Sequence, residues 1–243
     1  GAVVNASAPQ LGTGPAAGHS LALKSDGTLW AWGINSNSQL GNGTTANASA
    51  PVQVGLASVM ALAAGNNHNL VVKANGTVWA WGNGGYGQLG NAGNGSATTP
   101  VQVKGTAGVG FLEGVQTVAA GADYSLALKG DGTVWSWGNN NNGRLGNGST
   151  TQANTPMQVT GLSGVTEVAA GNTHALALKS DGSVWAWGGN NYGQLGDGSL
   201  TDASAPVQVL SLEGVVAIAA GNGYSAAVKR DGTVWVWGFN YYG

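Results

Sequence analysis

The chain has 243 residues and a mass of 24.0 kDa, enough for one large all-β domain with a substantial core. Only 7% of its residues are charged and the net charge is −2, against roughly 25% charged in an ordinary soluble protein. This leaves no electrostatic footprint for DNA, RNA or an anionic membrane, and no apolar run is long enough to span a bilayer. Zero cysteines exclude a disulfide framework, thiol catalysis and zinc–cysteinate sites.

The strongest signal is Trp-x-Trp-Gly, which occurs five times and contains every tryptophan: Trp30/Trp32, Trp79/Trp81, Trp135/Trp137, Trp185/Trp187 and Trp235/Trp237. The first members lie 49, 56, 50 and 50 residues apart. A long, regular period of this kind predicts a solenoid or propeller. In chain order the repeats read as units 12–54, 55–103, 104–159, 160–209 and 210–243, in a single 1–243 domain. The first is damaged, because too few residues separate Pro9 from Ala16 for a full inner strand. The third carries an insertion near Lys104 to Phe111, which explains its longer spacing.

The fourth unit shows the plan most clearly. Val165 to Ala170 is an alternating strand ending at Gly171, and His174 to Leu178 is a second. Lys179-Ser-Asp-Gly182 is a hairpin, where Asp-Gly would supply the positive φ angles of a tight type I′ connection. Ser183 to Trp187 forms a third strand, and Pro206 to Val209 a fourth, its proline suited to an edge. The hairpin recurs at Asp26-Gly27, Asn75-Gly76, Asp131-Gly132 and Asp231-Gly232, and outer strands begin at Pro51, Pro100 and Pro156. Four short antiparallel strands per repeat make a propeller blade.

The run Ala-Ala-Gly-x-x-His-x-Leu-Ala-Leu-Lys-x-Asp-Gly-x-Val-Trp-x-Trp-Gly, followed by Gly-Gln-Leu-Gly, resembles the regulator-of-chromosome-condensation repeat. The likeness covers nearly the whole chain. It implies bacterial relatives, among them secreted β-lactamase-inhibitory proteins on the same fold. The family usually closes seven blades, whereas five units stand here, and the fifth stops before its Gly-Gln-Leu-Gly. Asn5-Ala-Ser-Ala-Pro-Gln-Leu11 matches Asn47-Ala-Ser-Ala-Pro-Val-Gln53, the lead-in to a fourth strand. The simplest expectation is that residues 1–11 complete the last blade through Pro9–Leu11. An open fragment of a larger ring and strand exchange between chains are the other solutions.

The candidate chemistry reads as scaffold. His19, His68 and His174 each stand eleven residues before the first tryptophan of their unit, a place that Tyr124 and Tyr224 take in the other two. A position open to both His and Tyr fills space and makes a hydrogen bond, and its copies in separate blades are too far apart to hold one ion. In each Trp pair, residues i and i+2 share a strand face and present two rings to one neighbouring blade. Asp26, Asp131, Asp181 and Asp231 are turn residues, and Lys24, Lys73, Lys129, Lys179 and Lys229 form a solvated ring beside them. Gly82-Asn-Gly-Gly-Tyr-Gly87 matches a nucleotide fingerprint only formally, because no helix follows it. Catalytic, metal and cofactor sites are therefore not expected, and the chain reads as no enzyme.

Function is sought where the repeats differ. The first-to-second and third-to-fourth strand loops open on one rim, and after each Trp-Gly they carry Ile34, Asn37, Tyr86, Asn142, Tyr192, Phe239, Tyr241 and Tyr242. Asn/Tyr/Gly-rich loops suit adaptable recognition, with rigid aromatic anchors. The expectation is a non-enzymatic scaffold for a protein partner, with no nucleic-acid partner and no membrane insertion. The alternative is an assembly subunit that joins copies of itself through incomplete terminal blades. Guanine-nucleotide exchange, implied by the resemblance, is the weakest reading, since fold alone does not license it. Low charge, absent cysteine and a Gly/Asn/Thr-rich surface point to an extracellular or cell-surface bacterial protein.

Overall fold

The computed structural model describes residues 9–12, 14 and 17–241. These form nineteen strands in five antiparallel sheets, with each sheet following the last along the chain. The first sheet is β1 (Gln10–Gly12), β2 (His19–Leu23), β3 (Leu29–Gly33) and β4 (Ala48–Val54). The second holds β5 (Val59–Ala64), β6 (His68–Lys73), β7 (Val78–Gly82) and β8 (Ala97–Gln102). The third is β9 (Val115–Ala120), β10 (Tyr124–Lys129), β11 (Val134–Gly138) and β12 (Ala153–Gln158). The fourth is β13 (Val165–Ala170), β14 (His174–Lys179), β15 (Val184–Gly188) and β16 (Ala203–Gln208). The fifth has three described strands, β17 (Val215–Ala220), β18 (Tyr224–Lys229) and β19 (Val234–Gly238). Strand order within every sheet is sequential, as a blade requires.

Three local expectations change. Pro9–Leu11 does not complete the fifth blade: Gln10, Leu11 and Gly12 pair with Leu23, Ala22 and Leu21 as the short inner strand of the first. The same residues cannot also form an outer strand, because elsewhere a linker separates the two, as residues 55–58 do between β4 and β5. The preceding Asn5-Ala-Ser-Ala lies outside the described residues. The hairpins are not type I′ either. In the first, only Gly27 has a positive φ (79°), while Gly27 N–H donates to Lys24 O and Lys24 N–H to Thr28 O. This is a type I turn closed by a left-handed glycine, and the Asp contributes through its side chain. Asp26 Oδ1 accepts both the Thr28 amide at 2.9 Å and its hydroxyl at 2.6 Å.

The outer strands begin three residues before their prolines. Gly33 pairs with Ala48 but Ala31 with Val52, so the outer strand carries extra residues there, and Pro51 sits within them. The same shift frames Pro100, Pro156 and Pro206. A bulge on an edge strand is where a missing N–H does least harm.

The core is four clusters, each lying between two consecutive blades. The second Trp of each pair is the anchor: Trp81, Trp137 and Trp187 are fully buried against the preceding blade. The first Trp lies at the margin of the same cluster, as Trp79, Trp135 and Trp185 show. Both rings thus face one neighbour, as expected from their spacing. The lysine ring is more tied down than expected, since Lys24, Lys73, Lys129, Lys179 and Lys229 reach over these outer Trp rings at 5.4–5.8 Å. Truncation of Trp137 or Trp187 to Ala should cost about 3–5 kcal/mol, and Trp135→Ala clearly less. Urea unfolding checks this ranking, and equal losses would contradict it.

Candidate protein-binding rim

Each joint between blades also carries a buried polar chain built from the repeat motif. His68 Nε2 lies 3.0 Å from Ser125 Oγ of the next blade, and Ser125 donates to Gln88 O at 2.8 Å. Trp137 Nε1 donates to that same carbonyl at 2.9 Å. A serine hydroxyl has one proton, already given to Gln88, so His68 must be the Nε2–H tautomer. Its Nδ1 is then a bare, buried lone pair without a hydrogen-bond partner. The ring packs on Gly65, where a Cβ would lie 2.4 Å from Cε1. This explains the glycine of Ala-Ala-Gly-x-x-His as a space requirement.

The chain recurs with substitutions. His174, Ser225, Gln194 and Trp237 repeat it between the fourth and fifth blades. Between the first and second, Asn69 takes the serine's place, accepting from His19 and donating to Gln39 O. Between the third and fourth, Ala175 stands there and offers no hydroxyl; Tyr124 instead donates to the His174 carbonyl. Arg144 replaces the glutamine, and its carbonyl still accepts Trp187 Nε1 at 3.0 Å. The histidines are therefore structural, as their exchange with Tyr implied.

Burial holds these imidazoles neutral. His68 is pushed down to about 3, first by burial and then by the neighbouring His19, and His174 to about 4 by burial. Their Nδ1 positions offer an added proton no acceptor. Above pH 6.5, the ordinary histidine value, both states are neutral and stability is complete. Below it the unfolded chain binds protons that the fold refuses, so stability falls continuously to the folded values of about 4 and 3.

The inner strands surround a cavity of about 530 Å³. Its wall is mostly small and apolar, including Leu62, Ala119, Ala170 and Ala220, and the residues lining it carry no carboxylate or imidazole. At one mouth Asn66 Nδ2 lies 3.5 Å from Asn172 Oδ1, and Asn172 Nδ2 donates to Asn222 Oδ1 at 3.0 Å. Among the described residues no group of His, Cys, Asp or Glu is arranged to hold a metal ion.

The variable loops open on this asparagine rim, as strand alternation predicted: Asn67 accepts from Asn37, Gln39 and the Asn83 amide. Their rigidity comes from residues that the sequence reading passed over. Asn35, Asn140 and Asn190 are buried, and each spans its loop. Asn140 Nδ2 donates to Ser149 O and Thr151 O, and its Oδ1 accepts the Leu145 amide at 2.9 Å. Asn35 and Asn190 repeat this with Thr44/Ala46/Leu40 and Ser199/Thr201/Leu195. The signal available was position, the second residue after Trp-Gly in three units; composition alone hid it. Gln39, Gln88 and Gln194 also pin loop amides through their side chains, at Asn37, Tyr86 and Tyr192.

On these fixed loops the predicted residues separate. Tyr192, Phe239 and Tyr241 come together: Tyr192 meets Phe239 edge-on at 4.7 Å, and Phe239 stacks with Tyr241 at 6.3 Å. Tyr192 and Tyr241 remain 55% and 80% exposed. Tyr86 and Ile34 are exposed on other blades, with Ile34 lying over Gly18. Asn37 and Asn142 are not free contacts. Asn142 donates to Asp202 Oδ2 at 2.6 Å and accepts from Arg144 at 3.0 Å, knitting the third blade to the fourth. Buried Arg144 has its pKa lowered by desolvation, opposed by Tyr124, Asp123 and Asp202, while burial raises Asp123. Tyr242 lies outside the described residues.

Sequential four-stranded sheets around a central cavity define an all-β propeller of repeat type. A model of the RCC1-like domain matches residues 13–243, and the chain belongs to that family. It is 30% identical over 142 residues to the RCC2 homolog of Danio rerio, covering 58% of this chain and 18% of that protein. A 50-residue stretch is 44% identical to the human E3 ubiquitin-protein ligase HERC2, covering 21% of this chain and 1% of that one. Human WBSCR16 superposes with a TM-score of 0.82 at 26% identity, over 96% of this chain and 63% of that one. Yeast RCC1 (Prp20), solved bound to Kap60, gives 0.79 at 25% identity, over 91% and 54%. The chain thus spans under a fifth of the zebrafish relative and roughly half to two-thirds of these solved chains.

Replacing His68 and His174 together with Gln should flatten the acid side of the stability profile. Each histidine contributes a slope of up to about 1.4 kcal/mol per pH unit below the ordinary value. Urea unfolding between pH 7 and 4 reads it, and an unchanged slope in the double variant would refute this assignment.

Proposed function

We propose that this chain is a non-enzymatic propeller that binds a protein partner through its asparagine-and-tyrosine rim. The observation that carries the reading is the exposed Tyr192–Phe239–Tyr241 cluster, set on loops whose backbones are fixed from below. Rigid aromatics contribute contact area at small entropic cost. Their neighbours Asn172 and Asn222 supply amide donors and acceptors beside the rings. Protein binding also suits the family: yeast Prp20 has been solved bound to Kap60 and described for binding Gsp1p and histones. Histones are the least suited of these, because this chain has 8 basic and 10 acidic residues and no basic patch.

The low charge and the absence of cysteine favour an extracellular or cell-surface setting, which fractionation of the producing cell tests directly. Guanine-nucleotide exchange is the competing reading by family. Nucleotide release from a Gsp1-type GTPase should be no faster with the chain than without it.

Tyr192→Ala and Tyr241→Ala together should weaken partner capture at least tenfold, the scale of two interface anchors at about 1 kcal/mol or more each. Thermal unfolding should stay unchanged, since both rings are exposed. Calorimetric titration against an affinity-isolated partner measures the first, and scanning calorimetry the second. Full capture by the double variant, or capture lost only together with the fold, would remove the rim from the reading.

A further inference from the structure

Every joint between blades unites two different faces. One is the face of the later blade, with its Trp pair, the residue after the His/Tyr position, and an apolar inner-strand residue. The other is the face of the earlier blade, with its His/Tyr and the apolar residues flanking the first Trp. In the joint between the fourth and fifth blades, Val184 and Ala186 on one side share a cluster with Ile218 and Trp237 on the other. Four such joints are made within the chain, and one copy of each face is left over.

On the fifth blade the leftover face is Tyr224, Val234 and Val236. Val234 and Val236 are 67% and 66% exposed, although their counterparts Leu29/Ala31, Val78/Ala80, Val134/Ser136 and Val184/Ala186 are all buried. Tyr224 is 44% exposed where His19, His68, Tyr124 and His174 are buried. On the first blade the leftover face is Leu11, Ser20 and the Trp30/Trp32 pair. Leu11 is 79% exposed where its register equivalents Val118, Val168 and Ile218 are buried against the preceding blade. Trp32 is only half-buried where Trp81, Trp137 and Trp187 are fully buried. Tyr224 and Ser20 are also the two polar positions that join consecutive blades elsewhere, as His68 joins Ser125 and His174 joins Ser225.

We infer that the fifth-blade face of one chain receives the first-blade face of a second copy, reproducing the internal joint between molecules. The occupant is identified by the repeat itself. The apolar shape that fills Val234/Val236-type faces in this protein is, each time, a Trp-bearing face like that of the first blade. The contact is head-to-tail, so it propagates into a ring or a filament rather than stopping at a symmetric dimer. It does not depend on the rim reading, since the rim stays open in every copy.

Sedimentation velocity on the chain should show concentration-dependent species heavier than 24.0 kDa. Leu11→Asp and Val236→Asp should each reduce association by at least tenfold and sediment as monomers. An equimolar mixture of the two variants should restore a species of twice the monomer mass and nothing larger, because each supplies the face that the other lacks. A chain carrying both substitutions should restore nothing. Near-ultraviolet circular dichroism of the buried tryptophans checks that each variant keeps its fold, and Leu11→Ser with Val236→Ser replace any aspartate variant that does not. A wild-type chain that stays monomeric at its highest soluble concentration would overturn the inference. So would single variants whose mixture fails to associate, or variants that still self-associate as symmetric dimers.

Discussion

The rest of the structure depends on one carbonyl per joint. The backbone oxygen of Gln39, Gln88, Arg144 or Gln194 accepts the indole N–H of the next blade's second Trp. In three of the four joints it also accepts the Asn or Ser side chain that the preceding imidazole contacts. A buried indole N–H without a partner would cost roughly 1–3 kcal/mol. The loop that presents the carbonyl is therefore fixed by the core and not merely placed above it. The same loop ends in the variable residues of the rim, so core order and rim order are coupled through the Gly-Gln-Leu-Gly segment.

This arrangement explains how a chain with 7% charged residues is held together. The two ion pairs among the described residues, Lys24–Asp26 and Lys179–Asp181, are local and exposed, and such pairs contribute little. Neutral amides do the corresponding work. Asn140 alone satisfies a loop amide and two loop carbonyls, and the second blade shows what its absence requires. Gly84 stands at that position, and its loop closes so tightly that a Cβ would lie 2.0 Å from the Gly95 carbonyl oxygen. Where the anchor is lost, the backbone takes its space.

The blade plan was legible because it is written in period: Trp-x-Trp-Gly counts the third strands, and the Gly-bearing turns locate the hairpins. Residues that serve two roles were not legible. Asn35, Asn140 and Asn190 sit in tracts whose composition suggests an adaptable surface, yet burial decides each side chain's role and composition carries no burial. Asn142 belongs to the same class, its amide spent on Asp202. Residues 9–11 failed for another reason. They fit an outer strand by pattern, but the pairing of Leu11 with Ala22 and Gly12 with Leu21 uses them as an inner one, and pattern does not measure the linker that a second role would need.

The constancy of the joint and the variability of the rim have a common cause. A joint residue is constrained from two blades, so a change on one side requires a matching change on the other. Where Ala175 removes the hydroxyl that would receive a histidine, Tyr124 stands in the histidine's place and reaches past it to a backbone carbonyl. A rim side chain such as Tyr192 or Ile34 is held only through its own backbone, pinned at Tyr192 by Gln194. Its ring or branch is free to differ without any compensating change. Variation therefore collects on the face where it costs the fold least, and that is also the face where a difference between blades can be read by another molecule.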